Sequence, residues 1–180
     1  MQTILVTGGT GFIGSHACLA LLNSGFDIIV LDSFINSSEK VLDRIFKLST
    51  IHHSDKHKRI KHYKGDVRDS DILQLIFKEA ESNSKPICCV IHFAGLKVVS
   101  ESNLLPLNYW DVNVCGTVNL LKVMEQFNCN NFVFSSSASV YGSNNNNPKE
   151  NFSKKPINPY GQTKLVVEEI LNNLYVASPE

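Results

Sequence analysis

Apolar and polar positions along the chain follow two alternating regimes. Short runs dominated by apolar residues occur at Gln2 to Thr7 (QTILVT), Asp27 to Asp32 (DIIVLD) and Ile87 to Phe93 (ICCVIHF). Such runs predict strands, with weaker ones at Ile60 to Lys64 and Asn131 to Ser135. Between them, apolar residues return at helical spacing, as Ile13, Ala17, Ala20 and Leu21 do within Phe12 to Asn23. Further helices are predicted over Ser37 to Ser49, Asp69 to Glu81, Tyr109 to Phe127 and Pro159 to Val176. Strands apolar on both faces belong to parallel sheets covered by helices. The alternation predicts an α/β fold with a doubly wound, Rossmann-type parallel sheet, and right-handed crossovers favour the strand order 3-2-1-4-5. The pattern breaks at Ile51 to Arg59, rich in His and Lys, and at Asn144 to Asn147 beside Pro148; both read as surface loops.

Composition narrows the picture modestly. A chain of 180 residues, 43% hydrophobic and 19% charged, suits one globular domain with a core that needs no disulfides. Lys plus Arg equals Asp plus Glu at 17 each, so charge gives no argument for nucleic acid or an anionic membrane as partner. The cysteines Cys18, Cys88, Cys89, Cys115 and Cys129 show no Cys-x-x-Cys spacing, and four of them sit in apolar segments, as small core residues do in a reducing compartment. His52, His53, His57 and His62 lie among Lys56, Lys58, Arg59 and Lys61, cations that repel a metal, so no metal site is expected. The chain opens directly on a strand, and no apolar run approaches the ~20 residues of a membrane span; the expected location is the cytoplasm.

The first strand leads into Gly8-Gly9-Thr10-Gly11-Phe12-Ile13-Gly14, with glycines at 8, 11 and 14. A turn this tight calls for residues without a Cβ, and the helix it opens offers free N–H groups and a positive dipole end to a pyrophosphate. The context of strand, turn and helix inside a βαβ unit is what gives a glycine triplet meaning. Asp32 ends the second strand, where a carboxylate accepts hydrogen bonds from an adenine-ribose diol and repels a 2′-phosphate, favouring NAD over NADP.

A second constellation lies late in the chain. Tyr160 and Lys164 are four residues apart at the start of the last helix, so their side chains share a face. A tyrosine ordinarily ionises near pH ~10, and a neighbouring ammonium favours the phenolate, which makes Tyr160 a usable general base for a hydroxyl proton. Ser135, Ser136 and Ser137 end the fifth strand, at the carboxyl edge of the sheet where open α/β folds bind ligands.

Together these residues resemble the extended short-chain dehydrogenase/reductase family, and within it the UDP-glucose 4-epimerase branch. The resemblance is carried by TGGTGFIGSH (7–16), VLDSFINSS (30–38), GDVRD (65–69), VIHFAGLKVVSES (90–102), NVCGT (113–117), FVFSSSASVYG (132–142) and NPYGQTK (158–164). It implies that Gly8, Gly11, Phe12, Ile13 and Gly14 form the pyrophosphate turn, and that Asp32, Ser33, Phe34, Ile35, Asn36 and Ser37 surround the adenosine ribose. Asp66 and Val67 would flank the adenine, while Phe93, Ala94, Gly95, Leu96, Lys97 and Asn113 would line the cofactor. Ser137 would touch the sugar hydroxyl, Tyr160 would be the acid/base, and Lys164 would hold the nicotinamide ribose. The implied reaction interconverts UDP-glucose and UDP-galactose with bound NAD: oxidation at C4, rotation of the keto sugar and re-reduction. His16 and His92 fit the same pattern as packing residues.

The family continues with a second half that grips the UDP-sugar, so residues 1–180 are expected to form the NAD-binding domain without that C-terminal substrate domain. The resemblance also implies a homodimer, with Tyr109 to Phe127 as a face for it. Three alternatives stay open or are weighed on the residues. A 4-epimerase for UDP-glucuronate or UDP-N-acetylglucosamine would show the same half, and a non-catalytic NAD-binding fragment would keep the turn without turnover. A 4,6-dehydratase needs an acid beside Ser137, where Ala138 and Ser139 stand instead.

Overall fold

The computed structural model describes residues 2–50, 55, 59–143 and 149–177. The loops expected at Ile51 to Arg59 and Asn144 to Asn147 fall outside the described residues, apart from Asp55 and Arg59. The chain divides into two compact units, Met1–Ala94 with Asn119–Ser135, and Gly95–Val118 with Ser136–Glu180.

The first unit holds a parallel sheet in the order β3-β2-β1-β4-β5. Its strands are β1 (Thr3–Thr7), β2 (Asp27–Asp32), β3 (Ile60–Lys64), β4 (Ile87–His92) and β5 (Phe132–Phe134). β1 and β2 are buried along their whole length, and every residue between their polar ends is apolar. Side chains alternate between two cores. Ile4, Val6, Ile28 and Val30 face α1 (Phe12–Asn23) and α2 (Lys40–Leu48), packing on Cys18, Leu22, Leu42 and Ile45. Leu5, Ile29 and Leu31 face the other way, onto Leu73, Ile76 and Phe77 of α3 (Ser70–Ser82) and Leu120, Val123 and Met124 further along.

The ends of these elements show which side chains compete with the helix. α2 starts at Lys40, later than the predicted Ser37, because the Ser37 hydroxyl is engaged with Asp32 and Thr10 instead. α3 starts after Asp69, whose carboxylate accepts the N–H groups of Asp71 and Ile72 as an N-cap. Arg59, just before β3, donates to the Phe26 carbonyl and pairs with Asp27, which Lys85 also contacts; a buried carboxylate thus sits between two cations at the amino ends of the strands. None of the five cysteines is in a disulfide; Cys18 and Cys129 are buried, and burial pushes their thiols up to about 12 and about 11. Cys88 and Cys89 are half-buried, and Cys115 is exposed.

The second unit is helical. α4 (Val99–Leu104) and α5 (Pro106–Tyr109) lead into a π-helical stretch, Trp110–Cys115, from which α6 (Gly116–Gln126) continues, its residues from Asn119 onward belonging to the first unit. The predicted helix Tyr109 to Phe127 therefore exists, but it begins three residues earlier, at Pro106, and is interrupted by the wider turn. A 3₁₀ turn (Ala138–Tyr141) follows the serine run, and α7 (Pro159–Ala177) completes the unit. Its buried residues along these elements include Ser102, Tyr109, Asn113, Thr117, Val140, Gly161, Thr163, Lys164 and Val167. Among the described residues, no helix is long and apolar enough to cross a membrane.

Candidate functional site

The glycine turn of the first unit is closed by contacts that only glycines permit. Gly8 has φ +69°, and a Cβ there would lie 2.6 Å from the Ala94 amide nitrogen. A Cβ on Gly14 would lie 2.2 Å from the Gly8 carbonyl oxygen, so the first turn of α1 rests directly on the loop that precedes it. Gly9 belongs to the same construction, since its Cβ would meet Val30 at 2.8 Å, and the spacing of glycines 8, 11 and 14 does not include it. The N-terminus of α1 has no side-chain cap and no acidic residue in its first turn. It is therefore a neutral, donor-rich end suited to an anion. Phe12 and Ile13 stand largely exposed there, at 76% and 61%.

Asp32 ties this turn to the loop after β2. One carboxylate oxygen accepts the Thr10 N–H at 3.0 Å, the other the Phe34 N–H at 2.9 Å and the Ser37 hydroxyl at 3.1 Å. A carboxylate has about four acceptor positions, so capacity remains for a further donor. Phe34 is held at φ +56°, an uncommon backbone for an aromatic residue, and the sequence carries no sign of it. Ser33 is half-buried, while Ile35 and Asn36 are exposed beside it. Asp66 is gripped by the Arg68 side chain, which holds its carboxyl below the usual range, and Val67 is buried with its carbonyl taken by Asn119. Phe93 and Ala94 follow β4, anchored by the Phe93 N–H on the Thr7 carbonyl. The buried His92 lies 2.6 Å from the Thr7 hydroxyl through Nδ1 and stacks on Phe134.

In the second unit, Asn113 organises the loop at Gly95 and Leu96. Its amide oxygen accepts the Leu96 N–H at 2.8 Å, and its amide nitrogen donates to the Leu96 carbonyl at 2.9 Å and to Thr163 at 3.1 Å. The π-helical turn carries Asn113, and such wide turns recur at functional sites. A Cβ on Gly95 would press on the Asn113 oxygen at 2.9 Å. Thr163 is fully buried and in turn donates to the Tyr160 carbonyl at 2.7 Å, a link that no sequence signal announced. Lys97 is exposed.

Tyr160 and Lys164 share a face of α7, as their spacing requires. The Tyr160 ring stands edge-on to Tyr109, centroids 6.4 Å apart. Tyr109 is completely buried and its hydroxyl contacts Glu101 at 2.7 Å and the Val98 backbone. Burial pushes that phenol up to about 12, so it stays protonated and packs rather than reacts. Lys164 is 6% exposed, and burial pulls its ammonium down to about 8. Ser137 caps the 3₁₀ turn, its hydroxyl accepting the Ser139 N–H at 3.2 Å. No acidic residue stands in that turn. Ser137, Tyr160, Lys164 and Asn113 lie in the second unit, while Gly8, Gly11, Gly14, Asp32, Asp66 and Val67 belong to the first.

The chain matches, over residues 5–179, the family model described as GDP-mannose 4,6 dehydratase. It is 48% identical over 181 residues to the UDP-glucose 4-epimerase 2 of Oryza sativa subsp. japonica, covering 100% of this chain and 42% of that protein. It is 45% identical over 180 residues to the UDP-glucose 4-epimerase of Bacillus subtilis, covering 99% of this chain and 50% of that protein. Among solved structures it is similar to the UDP-glucose 4-epimerase from Bifidobacterium longum in complex with NAD+ and UDP, with a TM-score of 0.88 and 42% identity over 99% of this chain and 50% of that one. The chain spans about half the length of the curated relatives it matches. Because the family match runs from β1 through the whole of α7, the chain belongs to the GDP-mannose 4,6 dehydratase family.

Proposed function

We propose that residues 1–180 are the NAD-binding domain of a UDP-sugar 4-epimerase and that the sugar pair is UDP-glucose and UDP-galactose. The observation that carries this reading is the pairing of Tyr160 with a buried Lys164 on one face of α7. Relatives similar over nearly the whole chain bear that enzyme's name. The absence of an acid in the turn after Ser137 favours epimerisation over elimination of water.

The residues present fit a dinucleotide. Gly8 and Gly14 leave no side chain between turn and helix, and the uncapped end of α1 presents donors to a pyrophosphate. Asp32 would take the adenosine ribose, Ser33 to Ser37 would border it, and Asp66 with Val67 would flank the adenine. Phe93, Ala94, Gly95, Leu96, Lys97 and Asn113 would line the rest. When bound, NAD would supply reversible hydride-accepting chemistry for oxidation and re-reduction at the sugar C4.

Everything else falls to the chain. Tyr160 takes the proton of the 4-hydroxyl and gives it back after the keto sugar has turned. Lys164, mainly ammonium below its value of about 8, steadies the phenolate and holds the nicotinamide ribose. Ser137 donates to the reacting oxygen and keeps it in line with Tyr160.

The test incubates the purified chain with UDP-galactose and NAD and follows UDP-glucose by chromatography. Conversion is expected, falling at least ~100-fold in Tyr160→Phe, the lower end of what one acid/base group contributes. Absence of conversion while NAD binds would leave a non-catalytic NAD-binding fragment. Conversion only of UDP-glucuronate or UDP-N-acetylglucosamine would move the reading to that sugar.

A further inference from the structure

Glu168 lies one helical turn beyond Lys164 and two beyond Tyr160, on the same face of α7. Its carboxylate is bidentate in use. One oxygen accepts the Ser136 hydroxyl, and the other pairs with Lys154, whose ammonium is held above its ordinary value by that bond. Ser136 is the residue immediately before Ser137. The same stretch is fixed to α7 a second time, because Gly161 leaves room for the Ser139 carbonyl: a Cβ there would lie 2.7 Å from that oxygen. A third tether sits at Gly142, whose φ is +72° and whose Cβ would lie 2.1 Å from the Lys155 carbonyl oxygen. Residues 136 to 142, 154 to 156 and the first three turns of α7 therefore share one set of close contacts. Charge-assisted bonds of the Ser136–Glu168 kind are about twice as strong as neutral ones.

We propose that Glu168 is a positioning residue for the reaction: by holding Ser136 and Lys154 it fixes the backbone that carries Ser137 in register with Tyr160. This rests on the roles given above to Ser137 and Tyr160. A carboxylate that only solvated the helix surface would have no reason to reach the serine run, and its neighbour Glu169 is exposed.

The test compares the wild-type chain with Ser136→Ala, Glu168→Ala, the double variant, Glu168→Gln and, as control, Glu169→Gln, for kcat and KM with UDP-galactose. Positioning predicts kcat lower by roughly 10-fold or more in each single alanine variant, with KM within about twofold, since small misplacements act on the reacting geometry. The double variant is expected to be no slower than the slower single, because both changes remove one interaction. Glu168→Gln, which keeps an acceptor for Ser136, is expected to lose less than Glu168→Ala, and Glu169→Gln to match wild type. Unchanged kcat in Ser136→Ala, or losses that multiply in the double variant, overturns the proposal. If the wild-type chain itself shows no turnover, the catalytic reading of this chain fails separately. The clamp is then decided by amide hydrogen exchange at Ser139, Val140 and Gly142, whose N–H groups bond within the turn. Both alanine variants should speed exchange there by roughly 10-fold or more while leaving β1 and β2 protected; unaltered exchange overturns it.

Discussion

Lys164 shows at the level of one residue how the candidate site works against the fold. Its ordinary value is 10.5, and burial lowers it to about 8 in the folded chain. Between those values the unfolded chain binds the proton and the folded chain does not, so stability rises with pH across that window. Below pH 8 the penalty for the buried ammonium is fully present and constant, at about 3 kcal/mol from the size of the shift. Urea denaturation at pH 7 and pH 10 should therefore show the wild type gaining stability on the alkaline side. Lys164→Met, which leaves no group titrating in that window, should show a flatter profile. A methionine variant as pH-dependent as the wild type would remove Lys164 as the source of the slope. The pairing of Tyr160 with Lys164 was legible from their spacing alone. The burial of Lys164 was not, because it depends on α4, α5 and the π-helical stretch packing on α7, and none of these is encoded near residue 164.

Among the elements, strands announced themselves and irregular helices did not. β1 and β2 are legible because burial on both faces leaves an apolar run, and β4, buried in part, carries a similar run. α4 went unread because Val98, Val99, Leu104 and Leu105 are all substantially exposed, so no apolar stripe marks it. The wider turn at Trp110–Cys115 inserts one residue into an otherwise periodic helix, a change that hydrophobic spacing scarcely registers, yet it is what carries Asn113 to Leu96. The junction of β1 and α1 was legible in kind, and the structure adds the distances that make it testable. Gly14→Ala puts a methyl 2.2 Å from the Gly8 oxygen, so the backbone must move, and a loss of about 2 kcal/mol or more is expected. Gly25→Ala is the informative contrast. Gly25 has φ +92° but nothing within 4 Å of a Cβ, so only backbone strain remains, about 1 kcal/mol. Equal losses in the two variants, measured by urea denaturation, would show that packing of α1 on the turn contributes nothing beyond backbone conformation.

For the molecule as a whole, ligand-linked stability separates cofactor binding from catalysis. Anything that binds the folded chain and not the unfolded one stabilises it by mass action, whether or not turnover follows. The glycine turn and Asp32 belong to the unit that contains the entire sheet, so occupancy there should register in global unfolding. Asp32 is 7% exposed, and three protein donors already fix its carboxylate, so it cannot swing aside. A ribose diol adds donors to the remaining acceptor capacity, whereas a 2′-phosphate brings a second anion against a fixed one. NAD at 100 times its dissociation constant should therefore raise the unfolding free energy by about 2.7 kcal/mol, with NADP at the same concentration giving no shift. Asp32→Ser should narrow the difference by weakening NAD and admitting NADP. A shift with NAD in a chain that converts no sugar would identify a binding domain whose chemistry is elsewhere. Equal shifts from both cofactors would remove Asp32 from the adenosine ribose, and with it the assignment of Ser33 to Ser37 around it.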